Sequence, residues 1–285
     1  MFLQLLINGL VVGSGYALIA VGHTIIFGMM KIVNFAHGEL YMIGAFFTFS
    51  FVLLFNNYYI GFLVAMVICI LIAIFSEKVL FHRLIDEDIM TTTLITIGIS
   101  IFLMNIVQIL WGANPRTIPQ PFSEKPVIIG DIFITKPRIF IFFTAIVIIG
   151  VLHWFIKYTK TGKAFRATFQ NRQAALLVGI NINYIYTLSY TIGATVAGAA
   201  GGLLGMIYVI EPTMGVAAVG KAFAIVITAG KKSIYGAIFI AYGLGVIESL
   251  GSGYISSQYK DVFAFIILIL VLLFKPEGIF GKKGA

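Results

Sequence analysis

The sequence predicts an all-α, polytopic membrane helix bundle, and three observations carry that reading. Apolar residues make up 60% of the chain, charged residues only 11%, and the apolar residues fall into long uninterrupted runs. A water-soluble chain carries about 25% charged residues, so this one lacks the polar surface to cover itself in water. A mean hydropathy of +1.04 over 285 residues cannot be hidden in one core. A helix that crosses hydrocarbon takes about 20 apolar residues, whereas a membrane β-barrel would alternate in segments of about ten. The lone Cys69 excludes an internal disulfide.

Taken in order, the runs lie near residues 5–30, 39–55, 58–80, 91–112, 138–156, 184–210, 212–230, 233–252 and 259–274. The sixth and seventh can also be read as one broken or re-entrant element, so the expectation is eight or nine spans. Met1 to Leu6 has neither a basic start nor a small-residue cleavage site, so no cleavable signal is expected. Gly9 and Gly13 in the first run repeat at four-residue spacing, as do Ala194, Gly198 and Gly202, and Gly201 and Gly205, in the sixth. Small residues at that spacing let helix backbones approach closely in lipid. They serve either as packing positions or as thin walls of a pathway that opens and closes.

Between the fourth and fifth runs, residues 113–137 hold Pro115, Pro119, Pro121, Pro126 and Pro137. These prolines forbid a continuous helix and make the segment a surface loop. Residues 157–183 carry Lys157, Lys160, Lys163, Arg166 and Arg172 with no acidic residue. Cytoplasmic loops retain such residues, which places 157–183 inside and the Pro-rich loop outside. Lys31, Lys78, Arg83, Lys231, Lys232, Lys275, Lys282 and Lys283 then fall inside as well. The net charge of +8 is thereby explained by topology and not by nucleic acid. Residues 1–285 read as a single transmembrane domain with no appended soluble unit.

Catalytic chemistry is missing from the pattern. His23, His37, His82 and His153 show no metal spacing, and no nucleophile elbow occurs, since Ser249 has Ile247 where the first glycine belongs. Asp86, Asp88, Asp131 and Asp261 lie at or beyond run ends. Gly162-Lys163 leads to Ala164 and Gly281-Lys282 to Lys283, so no P-loop is present. Energy for uphill movement would come from an ion gradient or another subunit.

Ionisable residues in or beside lipid are costly and mark candidate sites. Asn34, His37 and Glu39, with Lys31, flank the break between the first two runs, as a solvated interfacial turn or as part of a gate. Lys221 and Glu248 sit inside runs, as a structural ion pair or as pathway contacts. From Lys163 to Val178 the spacing predicts one helix that stops at Gly179. It is too polar to span. It either lies on anionic lipid or docks into a partner, with Ala174 and Ala175 allowing close approach.

Several segments carry a family resemblance: Asn8-Gly9-Leu10, Gly15 to Gly22, Phe27-Gly28, and above all Asn34-Phe35-Ala36-His37-Gly38-Glu39 through Ala45. Thr96 to Ser100, Trp111-Gly112, Gly179-Ile180-Asn181, Gly220 to Phe223 and Lys275 to Gly281 extend it along essentially the whole chain. The sequence resembles the permeases of branched-chain amino acid ABC importers, of the LivH-type subunit. The resemblance implies a multi-pass protein of the bacterial inner membrane that pairs with a second permease and two cytoplasmic ABC ATPases. It also implies a periplasmic or lipid-anchored binding protein that delivers leucine, isoleucine or valine. ATP and magnesium would be used by the partners, with no cofactor or metal bound by this chain. Residues 163–179 become the coupling helix, with Lys163, Arg166, Arg172, Ala174, Ala175, Leu177 and Gly179 at the ATPase. Asn34, His37, Glu39, Lys221 and Glu248 become pathway or gate candidates. Related permeases serve urea, amides and other amino acids, and an autonomous carrier or channel is the remaining alternative. The family's Gly-Gly-x-Gly-Ser turn is replaced here by Ala229-Gly230-Lys231-Lys232-Ser233.

Overall fold

The computed structural model describes residues 1–85, 87–119, 121–122, 126–130, 132–230 and 233–281. Asp86, Asp131, Lys231, Lys232, Lys282 and Lys283, which entered the sequence reading, lie outside the described residues. The helices are α1 Phe2–Met30, α2 His37–Phe55, α3 Tyr58–Val79, α4 Ile89–Trp111, α5 Lys136–Tyr158, α6 Lys160–Gln170, α7 Arg172–Leu177, α8 Ile182–Leu204, α9 Met214–Ala229, α10 Ile234–Tyr254 and α11 Lys260–Phe274. A two-stranded hairpin, β1 Val127–Ile129 and β2 Ile132–Ile134, precedes α5.

Several boundaries are set by side chains that accept from orphan backbone N–H groups. Asn57 caps α3, Asp88 caps α4, Thr159 caps α6, Asn171 caps α7, Asn181 caps α8 and Ser233 caps α10.

Seven helices are long and apolar enough to cross a membrane: α1 to α5, α10 and the segment Ser257–Phe274 that contains α11. Two more helices complete the correspondence with the nine apolar runs among the described residues. Helix α8 has 23 residues but carries hydroxyls, which bond back to its own carbonyls at Thr187, Ser189, Thr191 and Thr195. Helix α9 has only 16 residues. The sixth and seventh runs are therefore two helices and not one broken element. The sixth stops at Leu204, six residues before the apolar run does; the chain then turns, with Ile207 and Tyr208 bonding the Leu204 carbonyl, and Ile210 exchanges both backbone hydrogen bonds with Arg116.

Close packing around α1 and α8 organises the bundle. Gly9 and Gly13 lie against the backbone of Gly245, Val246 and Tyr242 in α10, and Gly245 returns the contact. Gly22 meets Gly193 across α1 and α8, and Gly44 meets Gly198 across α2 and α8. A Cβ on Gly9, Gly13, Gly22, Gly44, Gly193 or Gly245 would come within 3 Å of backbone atoms of the facing helix. Without a hydrophobic drive between helices in lipid, this proximity is what holds them. Helices α4 and α11 sit at the margin, most of their surface turned outward.

The two ends of the bundle are tied differently. At one end the Gln4 side chain bonds both backbone groups of Phe133, and Arg138 bonds Asn8. The 113–137 loop is thus anchored, and it is not wholly superficial: Ile118 is 3% exposed and seated against Gly205. At the other end the tail folds back, with the N–H groups of Ile279 and Phe280 donating to the carbonyls of Thr228 and Ala229. Residues 163–178 are two helices instead of the one expected. Asn171 leaves the helical region (φ −152°, ψ 107°), and its side chain caps a new helix at Ala174.

Candidate functional site: a helix start inside the bundle

Helix α1 ends at Met30, and Lys31 turns the chain through a left-handed conformation (φ 57°). Residues 32–36 then run back into the bundle without helical hydrogen bonds, so their polar backbone needs other partners. Thr96 of α4 supplies them: its hydroxyl donates to the Val33 carbonyl at 2.9 Å and accepts from the Phe35 N–H at 3.3 Å. Helix α2 therefore begins at depth. His37 reaches the carbonyl of Ile19 at 3.1 Å, and Ile19 lies about 16 Å along the axis from the end of α1.

Four elements converge on this start. Glu39 accepts from Ser100 of α4 at 2.9 Å, and its other carboxylate oxygen presses on Gly215 in the first turn of α9. A Cβ at Gly215 would stand 2.6 Å from that oxygen, and one at Gly38 would strike the Gly215 carbonyl at 2.0 Å. His23 of α1 stands edge-on to His37 at 5.1 Å and to Phe223 of α9 at 4.4 Å. Phe35 closes the group against Phe223 at 4.9 Å. Asn34, His37 and Glu39 are all 0% exposed, which overturns the solvated-turn alternative for them; Lys31 alone is exposed. The positive end of α2 thus opens into a buried set of two imidazoles, an amide and a carboxylate. Such a break in mid-membrane is where transport proteins gather polar groups for a solute or a gate.

Lys221 and Glu248 lie elsewhere. The Lys221 ammonium pairs with Glu248 at 3.0 Å and with Asp261 at 2.8 Å. It also donates to the Tyr16 hydroxyl at 2.6 Å, which in turn donates to Glu248 at 2.7 Å. This network ties α1, α9, α10 and the start of α11 on a face of α9 apart from Glu39. The five pathway candidates therefore divide into two groups.

Sequence reasoning left out His23, Ser100, Thr96 and Phe223 from the first group and Tyr16 and Asp261 from the second. Tyr16, Thr96, Ser100 and Phe223 lie within the segments that carry the family resemblance, and a separate chemical signal was at Asp261. A buried lysine needs anions, and an acid at the start of the last apolar run is within reach only if the helices pack.

The basic segment divides as well. Arg166 donates to the carbonyls of Ile156 and Lys157, closing the end of α5. Phe165 and Gly162 are buried, and the Phe169 ring rests on Gly28 near the end of α1. Lys163 is exposed on α6, and Ala175 is buried. Arg172 lies over the Tyr186 ring. What projects is α7 and its cap: Ala174 is exposed, Leu177 is 89% exposed, Val178 is 75% exposed, and Gly179 ends the helix at φ 80°.

The small-residue stripe of α8 faces α2 and α3. Gly201 would place a Cβ 1.8 Å from the Tyr41 carbonyl, Gly198 meets Cys69, Gly202 meets Thr48 and Phe62, and Gly205 meets Ile118. Ala194 is buried on the same helix.

Comparison with known proteins decides the class. Residues 5–272 match the family described as branched-chain amino acid transport system / permease component. The chain belongs to this family. The permease is 37% identical to the high-affinity branched-chain amino acid transport system permease protein LivH of Escherichia coli K12, over 99% of this chain and 96% of that one. It is also 37% identical to BraD of Pseudomonas aeruginosa, a high-affinity branched-chain amino acid transport system permease protein, with the same coverage. Among solved structures, PsaBC from Streptococcus pneumoniae in complex with Fab superposes with a TM-score of 0.51 at 15% identity, covering 97% of the permease and 93% of that chain. That likeness concerns the fold alone. The permease is a multi-span membrane subunit of all-α architecture, with its polar cluster at the buried start of α2.

Proposed function

We propose that this chain forms part of the membrane pathway of an ATP-driven bacterial importer for leucine, isoleucine and valine. A second permease lines the pathway with it, two cytoplasmic ABC ATPases supply the work, and a periplasmic or lipid-anchored binding protein delivers the ligand. The assembly sits in the inner membrane, with residues 157–183 on the cytoplasmic side and 113–137 outside. ATP and magnesium act on the ATPases, since the sequence here carries no P-loop. The observation that carries this reading is the family match, which runs through both the buried start of α2 and the projecting α7.

The two features have a mechanical connection. An ATPase that holds Leu177 and Val178 moves α7, and α6 follows because only Asn171 separates them. Helix α6 is fastened to the end of α5 by Arg166 and to α1 by Phe169 on Gly28. Displacing the end of α1 moves the Lys31 turn and with it the start of α2, where His37 meets α1 and where Gly38 and Glu39 meet α9. Leu177→Asp tests the docking step. Affinity purification of the tagged variant should lose the ATPases while retaining the second permease, with thermal stability unchanged. Full ATPase recovery in Leu177→Asp would remove α7 from the coupling role.

A further inference from the structure

A groove of about 570 Å³ lies between the end of α3 and the first turns of α8, outside both polar clusters. It is lined by Ile74, Lys78 and His82 on one side and by Asn181, Tyr184 and Leu188 on the other. Lys78, His82 and Asn181 stand at the helix ends, while Ile74 and Leu188 lie farther along their helices, with the hydroxyls of Thr187 and Thr191 beside them. Next to it α3 turns Leu71 and Phe75 outward, as acyl chains would require. Tyr184, more than half exposed, stands at the depth where aromatic side chains mark the headgroup boundary.

The charge arrangement favours an anion. The Glu77 carboxylate, next to Lys78 in sequence, is fully buried and already engaged: it accepts from the Thr187 hydroxyl at 2.7 Å and pairs with His82 Nδ1 at 3.1 Å. That pairing fixes the imidazole, which in its doubly protonated form presents Nε2–H as a donor to an anion. Asn181 spends its carbonyl oxygen on the Tyr184 N–H, which leaves its amide NH₂ to donate. The Lys78 ammonium is exposed at the mouth. The groove also lies at the same end as the basic 157–183 segment, since α8 follows that segment directly.

We propose that this groove is a binding site for an anionic glycerophospholipid of the inner leaflet. The phosphate sits among Lys78, His82 and the amide of Asn181, and an acyl chain lies along Ile74 and Leu188. Basic pockets between helices on the cytoplasmic side hold such headgroups, and the occupant would brace α3 against α8 where α6 and α7 approach. Zwitterionic lipid lacks the net charge that the mouth selects.

The test uses the purified full-length chain in mild detergent, titrated with dioleoyl phosphatidylglycerol, dioleoyl phosphatidylcholine or inorganic phosphate. Phosphatidylglycerol should raise the melting temperature and be retained in native mass spectra, while the other two should do neither. Lys78→Gln should lower retention severalfold with the lipid-free melting temperature unchanged, and Lys78→Arg should restore it. Equal retention of phosphatidylcholine would overturn the proposal, as would wild-type retention by Lys78→Gln. Stabilisation by inorganic phosphate alone would replace it with a free-anion site. Cross-linking of Lys78→Cys to the second permease would replace it with a subunit contact.

Discussion

Lys221 is one cation shared by two carboxylates and a phenol, with its own side chain 9% exposed and that of Glu248 1% exposed. Breaking a buried pair from one side costs about 3–5 kcal/mol because a bare charge remains. Lys221→Met should therefore lower the melting temperature in detergent strongly. Adding Glu248→Gln should recover part of that loss, and no recovery would mean the pair is not coupled. Outside the spans, Asp88 behaves in the opposite, mild way. Hydrogen bonds from Thr91 to its carboxylate hold it below the ordinary carboxylate range. A depressed folded value means the cap contributes above the ordinary pKa and is lost as pH falls. Asp88→Asn should abolish that acid dependence of α4 amide protection while leaving neutral-pH behaviour nearly intact, as read by hydrogen exchange. An unchanged acid profile in the variant would remove Asp88 as the titrating cap.

At the scale of elements, the α2–α8 contact is set by atoms that leave no room for a side chain. Gly201→Ala should separate the helices and destabilise the chain, because its Cβ would stand 1.8 Å from the Tyr41 carbonyl. Gly98 in α4 has nothing within 4 Å of its would-be Cβ. Gly98→Ala should be neutral or stabilising by about 1 kcal/mol, the ordinary helix preference for alanine. Thermal melts of the two variants side by side check the pair of expectations, and equal effects would contradict the packing account. These contacts also show what the sequence could disclose. Four-residue spacing of small residues is local and legible, so the stripe of α8 was readable, but its partner was not. Nothing local announces that Gly44 and Tyr41 lie opposite. The break at Asn171 was hidden for a different reason, since apolar spacing continues through it and only the capping geometry interrupts the helix.

For the whole molecule, composition and run length were enough for the fold class, because the solvent decides it: with so few charges, helices in lipid are the remaining solution. The depth of α2 was not accessible that way. The stretch from Lys31 to Glu39 is polar in sequence and looks like an interfacial turn, yet contacts from Thr96, Ile19, Ser100 and Gly215 carry it inside. Only long-range packing distinguishes the two. The proposal to be tested is that this buried helix start, moved through α6 and α7 by ATPases, passes branched-chain amino acids. The most direct measurement is leucine uptake into proteoliposomes holding this chain, its companion permease and the ATPases, with binding protein added outside. Uptake should require ATP and binding protein, isoleucine and valine should compete for it, and Leu177→Asp should abolish it. Leucine uptake by this chain alone without ATP, or ATP-driven uptake confined to a solute such as urea, would contradict the proposal.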